Sequence, residues 1–269
     1  MKSNAAWQNR RSGTAGQCGY CRKGPGLPLY STRDLERRPY SLNRCPDCRA
    51  IYLSPRPDSL QIEKAYDQNY YGCGEEKFSG LVERILDLFR LRRAGRLHRF
   101  LRGRGSVLDI GCGNGRFLSL LASFGNYSLY GIEPPGGSAA RATRIRSIHL
   151  KTGRLEKDDF PKESLDAVTL FHVFEHLESP RETVETIAGL LKPEGILVLS
   201  FPNIESFQAV FFRGRWLHLD PPRHLFFLAP TDLSRLMKRN GFDLVDEIHL
   251  HPDYNPFGFI QSTLNCLTG

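Results

Sequence analysis

From Ser106 onward, strand-like and helix-like segments alternate, which predicts an α/β fold: a mostly parallel sheet flanked by helices. Two local features support this. Val107-Leu108-Asp109-Ile110 is an apolar run that enters an alternating glycine loop, Gly111-Cys112-Gly113-Asn114-Gly115, and a helix-like stretch follows. Ser128-Leu129-Tyr130-Gly131-Ile132-Glu133 is a second apolar run, closing on a carboxylate 20 residues past Gly113. In open α/β sheets such strand–loop–helix junctions bind nucleotides.

The elements follow in chain order. Residues 1–16 are polar and Gly/Ser/Asn-rich, and a disordered tail is expected. Residues 17–57 are turn-rich and hold Cys18-x-x-Cys21 and Cys45-x-x-Cys48, a C-x2-C-x23-C-x2-C pattern. Each pair can clamp one side of a tetrahedral Zn²⁺, so a small four-cysteine zinc-ribbon module with a structural metal is predicted. Residues 58–104 read as a helical linker or cap. Within it lie a short helix at 59–66, an aromatic, glycine-rich loop at 70–74 and a long helix at 80–102. Leu81, Ile85, Leu88, Phe89, Leu97, Phe100 and Leu101 keep helical spacing there. The α/β domain should occupy 105–269, with its own core. Its strands are expected near 106–110, 127–133, 147–150, 166–172, 195–201 and 243–250, and its helices near 115–124, 138–145, 180–192 and 230–240. Residues 251–269 offer only a turn and a short amphipathic stretch where an antiparallel seventh strand would follow. Continuation past Gly269 is therefore expected.

Composition sets bounds on function. The chain has 269 residues, 40% hydrophobic and 25% charged, as in ordinary soluble proteins. It shows neither an apolar run of membrane-span length nor a signal peptide's apolar core, so the cytoplasm is the default compartment. Seven cysteines, four of them in two tight pairs, suit a reducing compartment and metal binding better than disulfides. Of the isolated ones, Cys112 is expected to pack under the glycine loop. Residues 1–105 carry 21 Lys and Arg against 10 Asp and Glu, a balance of +11, while the remainder balances at −3. A basic front half suits nucleic acid, peripheral contact with anionic lipid heads, or a phosphorylated substrate, and equally suits a plain solvated surface.

The glycine loop discriminates between ligands. It is G-x-G-x-G, with Arg116 where the third dinucleotide glycine belongs, and Asp109 would repel a pyrophosphate. An adenosyl ligand carrying a sulfonium and an ammonium would welcome that acid. Glu133, at the tip of the second strand, can accept hydrogen bonds from both ribose hydroxyls. Asp109, Gly111, Gly113 and Glu133 are therefore the candidate cofactor residues.

Another stretch, Phe171-His172-Val173-Phe174-Glu175-His176, contains H-x-x-E-H, a zinc-protease signature. That reading needs both histidines on one helix, whereas the segment begins as an apolar strand. Farther on, His218, Asp220, Arg223 and His224 concentrate titratable groups on a proline-stiffened loop. A lid whose polar groups bond only one another is the plain alternative there.

In order, the chain shows the Asp109–Gly115 loop, Glu133, Phe171 with Glu175-His176, Leu191-Lys192-Pro193-Glu194-Gly195, Phe201-Pro202-Asn203 and Asp220-Pro221-Pro222-Arg223-His224-Leu225. With the leading cysteine pairs, this series resembles the bacterial class I S-adenosylmethionine-dependent methyltransferases that carry an N-terminal zinc-ribbon segment. The resemblance implies a Rossmann-like sheet, S-adenosylmethionine as cofactor, and methyl transfer to a small-molecule or glycoconjugate, sugar-type acceptor. It implies that Phe171 meets the methionine part of the cofactor and that Gly153-Arg154-Leu155-Glu156 meets the adenine, with Leu155 among the cofactor-binding residues. Arg154 stands where many relatives have an acid. Methyl transfer to a hydroxyl or an acidic carbon needs a base near neutral pH. His224, oriented by Asp220, is the first candidate and His172 the second. Two alternatives stay open. One is an RNA base methyltransferase, against which no aromatic-rich basic β-surface is visible. The other is a non-catalytic, cofactor-binding zinc-ribbon scaffold.

Overall fold

The computed structural model describes residues 16–66, 80–249 and 255–268. All but the last residue of the expected disordered tail, and the 70–74 loop with Cys73, lie outside the described residues.

The chain opens with three antiparallel strands, β1 (Leu27–Arg33), β2 (Pro39–Arg44) and β3 (Ile51–Ser54). They pair in sequence order, with Thr32 opposite Tyr40 and Leu42 opposite Leu53. Tyr40 and Leu42, two apart on β2, are both buried, as the period-two alternation of a strand requires. Helix α1 (Ser59–Ala65) starts on a capping box: Asp58 accepts the Gln61 N–H, and Gln61 Oε1 accepts the Asp58 N–H. Helix α2 (Gly80–Leu101) ends where Arg102 and Gly103 turn left-handed, at φ 53° and 85°.

A five-stranded parallel sheet follows. Its strands are β4 (Arg104–Ile110), β5 (Asn126–Glu133), β6 (Ile148–Thr152), β7 (Leu165–Phe171) and β8 (Leu191–Ser200), in the order β6-β5-β4-β7-β8. Helices α3 (Arg116–Ala122), α4 (Gly137–Ala142) and α5 (Pro180–Leu190) form the crossovers. The order reverses between β4 and β7, which makes their carboxyl ends the topological switch point where open sheets bind ligands. Both sheet faces are buried. Val107, Leu129 and Ala167 pack with Leu118 and Leu121 of α3 and with Ala94 and Leu97 of α2. On the opposite face Leu108, Ile132, Val168 and Leu170 pack with Val184 and Ile187 of α5.

The strand expected at 243–250 does not form. Residues 242–249 have no regular structure, Leu244 and Val245 are exposed, and Asp246 is paired with Arg96 of α2. A strand needs a ladder partner for its N–H and C=O groups. This segment is instead tied to a helix surface by its own acid.

The chain closes with α6 (Phe207–Phe212), the two-residue strand β9 (Phe226–Phe227), α7 (Pro230–Arg239) and α8 (Asn255–Thr268). β9 pairs antiparallel with β3, Ile51 opposite Phe227, and so joins the N-terminal sheet.

That pairing corrects the expectation of separate cores. Cys18, Tyr20, Cys45, Cys48 and Tyr52 lie in one buried cluster with Leu108, Val168, Phe226 and Leu228. The junction is also bonded: Arg49, just after Cys48, donates to Asp232 of α7 at 2.9 Å, and Arg22 pairs with Glu182 of α5. Three short strands bury too little apolar area to stand alone. They complete themselves against the larger sheet. Among the described residues, no helix is long and apolar enough to cross a membrane.

Candidate active site

The glycine loop is built by its register. Gly111 and Cys112 both donate N–H to the Ile132 carbonyl, which pins the loop to the end of β5. Gly111, Gly113 and Gly115 all have positive φ, at 71°, 58° and 75°, a region that disfavours side chains. Their surroundings differ. A Cβ on Gly111 would sit 2.2 Å from Cγ2 of Val173, so that glycine serves packing. A Cβ on Gly113 would meet nothing within 4 Å. Gly113 therefore faces an open cradle, and its N–H donates to Glu133 Oε2 at 2.9 Å. Cys112 packs its sulfur against Gly131, and burial pushes its thiol up, away from a reactive thiolate.

Two carboxylates flank this cradle. Asp109 is 3% exposed and accepts the Thr169 hydroxyl at 2.6 Å. Burial pushes its pKa up to about 7, with Thr169 working in the opposite direction. Glu133, also buried, is raised by desolvation against the bond from Gly113. Two buried acids beside an open, glycine-lined cradle fit a cationic adenosyl ligand. The Gly153 N–H binds the Glu133 carbonyl at 2.9 Å, which brings Leu155, partly buried against the main core, to the same end of the sheet. Arg154 pairs with Glu178 at 2.6 Å. Phe171 ends β7 edge-on to Phe117, ring centroids 4.7 Å apart, with the Arg93 guanidinium 5.2 Å above its ring.

Beyond Phe171 the backbone turns. His172 takes φ 55° and donates its N–H to the Ser200 carbonyl at 2.7 Å; Phe174–His176 then form one 3-10 turn. The two histidines of H-x-x-E-H thus never share a helix, and the protease geometry is absent. The loop at 213–225 is tied onto this turn, since Leu225 donates to the Glu175 carbonyl at 2.8 Å and accepts from Leu53 N–H at 2.9 Å. His224 is thereby brought against His176, rings 4.5 Å apart.

The expected base and its partner do not meet as the sequence suggested. His224 is 8% exposed, and its Nδ1 donates to the His218 carbonyl at 2.6 Å. Asp220 Oδ2 stays 3.8 Å from His224 Nε2, and Oδ1 is taken by Arg223. The orienting group is a backbone carbonyl, not Asp220. Burial pushes the imidazoles of His176, His218 and His224 down to about 4. His172 is more open, its side chain 32% exposed, with Nδ1 3.6 Å from Glu175 Oε1. Glu175, which stood in the sequence only as part of a motif, is 1% exposed at the centre of these rings. A charged residue inside an otherwise apolar stretch was the available signal. Thr169, bonded to Asp109, gave none.

At the other end of the shared core, Cys18, Cys21, Cys45 and Cys48 converge within 4.8 Å. Cys18 and Cys48 sulfurs are 3.5 Å apart, as are those of Cys21 and Cys45. Each pair sits on a tight turn closed by a bond back to its first cysteine, from Arg22 and from Arg49, both at positive φ. Four buried or half-buried thiols at these spacings suit one tetrahedral metal ion.

A parallel sheet with this switch-point cradle and acid pair defines the class I S-adenosylmethionine-dependent methyltransferases. The family described as "Methyltransferase domain" matches residues 76–247, and the chain belongs to it. The chain is similar to a ubiquinone biosynthesis O-methyltransferase of Neisseria meningitidis, 28% identical over 162 residues, 55% of this chain and 68% of that protein. It is also similar to a tRNA U34 carboxymethyltransferase of Methylococcus capsulatus, 30% identical over 155 residues, 54% of this chain and 47% of that one. A methyltransferase structure from Galdieria sulphuraria superposes with a TM-score of 0.51 at 16% identity, covering 71% of this chain and 76% of that one, and shows the fold.

Proposed function

We propose that this methyltransferase acts on a small-molecule or glycoconjugate, sugar-type acceptor held between the glycine cradle, His172 and the 213–225 loop. Asp109, Gly111, Gly113, Glu133, Leu155 and Phe171 would hold S-adenosylmethionine, which when bound supplies the electrophilic methyl group. The chain's own contribution is to position the acceptor in line with that methyl and to take its proton. His172 is the proton acceptor in this reading. The observation that carries the choice is its place: next to Phe171 at the open end of β7, while His224 is enclosed and committed to a carbonyl. The Neisseria relative's name supports a small organic acceptor, and the Methylococcus relative's supports RNA. The arginines of α2 do not favour RNA, since Arg90 pairs with Asp87 and Arg96 with Asp246, leaving less free charge than the count suggests. The cysteine cluster is read as a structural zinc site, and a reducing, cytoplasmic setting fits its thiols.

The test is transfer of labelled methyl from S-adenosylmethionine to a panel of nucleotide sugars, hydroxylated aromatics and unmodified tRNA. Product on a sugar or phenol at a rate insensitive to salt supports the reading. Product on tRNA, with binding that falls steeply with salt, replaces it by the RNA reading. Cofactor binding without transfer to any acceptor would favour the scaffold.

A further inference from the structure

One buried group beside this site lacks a hydrogen bond. Among the described residues, neither carboxylate oxygen of Glu175 has a hydrogen-bond partner, although the residue is 1% exposed. A buried polar group left bare is destabilising, and more so when charged. The approach of His172 Nδ1 to Glu175 Oε1, at 3.6 Å, is beyond ordinary hydrogen-bond length. One ligating atom each from Glu175, His176 and His224 lie within 4.8 Å of one another. His176 Nδ1 contacts the Arg223 carbonyl at 3.0 Å and the Tyr66 hydroxyl at 2.7 Å; His224 Nδ1 contacts the His218 carbonyl at 2.6 Å. A carbonyl only accepts, so the tautomer that satisfies both carbonyls puts the proton on Nδ1 and leaves Nε2 as an acceptor. Three acceptors therefore converge in a buried site, with His172 Nδ1 the nearby ring nitrogen 3.6 Å from the carboxylate. What this set lacks is a cation.

We infer that Glu175, His176 and His224 bind a divalent first-row transition-metal ion of the zinc or manganese type. Two imidazoles and one carboxylate suit such ions better than magnesium or calcium, which take all-oxygen shells. Three protein ligands with open positions are the pattern of catalytic rather than structural sites. The outer shell is already in place: metal-bound histidines commonly donate their second ring N–H to a carbonyl, and both rings here do so. The turn holding Glu175 and His176 directly follows β7, so the cluster lies at the carboxyl end of the sheet, on the side of the proposed acceptor pocket. An acceptor with an oxygen donor would complete the coordination. That last step rests on the reading of the acceptor pocket given above, whereas the metal site does not.

The probe is manganese(II), added to the full chain purified under reducing conditions with its cysteine metal retained. Manganese prefers nitrogen and oxygen to thiolate, so it reads this site and not the cysteines. Binding of one ion per chain, seen as loss of the free six-line resonance signal, is expected. Glu175→Gln and His224→Gln should each weaken it more than about tenfold. Unchanged S-adenosylmethionine binding by calorimetry would show that the variants are folded. Should either fail to fold, metal content of the wild-type chain decides: two equivalents support the site, and a single one overturns it. Absence of manganese binding, or binding untouched by both substitutions, also overturns it. The two readings can fail separately. Bound metal with no oxygen acceptor methylated defeats only the acceptor assignment, and labelled methyl transfer that survives metal loss defeats only the metal's part in it.

Discussion

Thr169 donates its hydroxyl to Oδ1 of Asp109 at 2.6 Å, across the register pair that joins β7 to β4. The bond spans the switch point and fixes a carboxyl that burial holds up at about 7. A sulfonium and an ammonium arriving nearby favour the ionised form. The complex then holds fewer protons than the free protein, so affinity for S-adenosylmethionine should rise with pH and level off above about 7. Calorimetry near pH 6 in two buffers of different ionisation enthalpy should register proton release, and near pH 8 it should not. Equal heats at both pH values would show that Asp109 does not sense the cofactor.

The glycines of the loop should separate by function. Gly111→Ala places a Cβ 2.2 Å from Val173 at φ 71°, so the variant should lose stability through clash and strain together. Val173→Ala should restore part of it. Gly113→Ala has open space and only the left-handed penalty of about 1–2 kcal/mol, so it should fold and fail to bind cofactor. Thermal melts and cofactor titration of the pair check this. The reverse pattern would move the cradle away from Gly113.

Glu133 holds the Gly113 N–H and is the proposed acceptor for the ribose hydroxyls. Glu133→Ala should weaken S-adenosylmethionine by about 2–3 kcal/mol, the size of charge-assisted bonds lost at a buried position. An unchanged dissociation constant would contradict the ribose assignment.

Chelation should reach beyond the cysteine module. Cys18, Cys45 and Cys48 share a buried cluster with Leu108 and Val168 of the parallel sheet. Loosening the turns that present these thiols should therefore destabilise the whole domain. A strong chelator under reducing conditions should lower the melting temperature of one cooperative transition. A separate early transition, with the main one unmoved, would restore the picture of two cores.

The residues that announced the fold were those whose local pattern and tertiary role agree. Val107 to Gly115 read as strand and loop because alternate faces are buried and the glycines take positive φ. Glu133 stood at the right distance because β5 ends beside the loop. What stayed hidden depends on distant pairing. Phe226 and Phe227 form a strand only because Ile51 and Tyr52 offer an edge, and no local signal reports that. Residues 243–249 have strand-like composition, yet the Arg96–Asp246 pair ties them to α2. His224 and Asp220 are close in sequence, yet Arg223 claims the acid first. Spacing along a loop says little about which polar groups meet.

The catalytic assignment makes the last prediction. His172 sits one residue beyond the end of β7, held at φ 55° by its N–H bond to Ser200, and its ring is more exposed than that of His224. If it takes the acceptor's proton, His172→Ala should bind S-adenosylmethionine as the wild type does and lose about a hundredfold or more in kcat with little change in KM. Imidazole added to the assay should restore part of the rate, which a merely structural histidine would not allow. His224→Ala should behave differently. It removes a buried ring packed on His176, so stability should fall along with activity and imidazole should not rescue it. Wild-type turnover in His172→Ala, or rescue of His224→Ala instead, would return the base to the 213–225 loop.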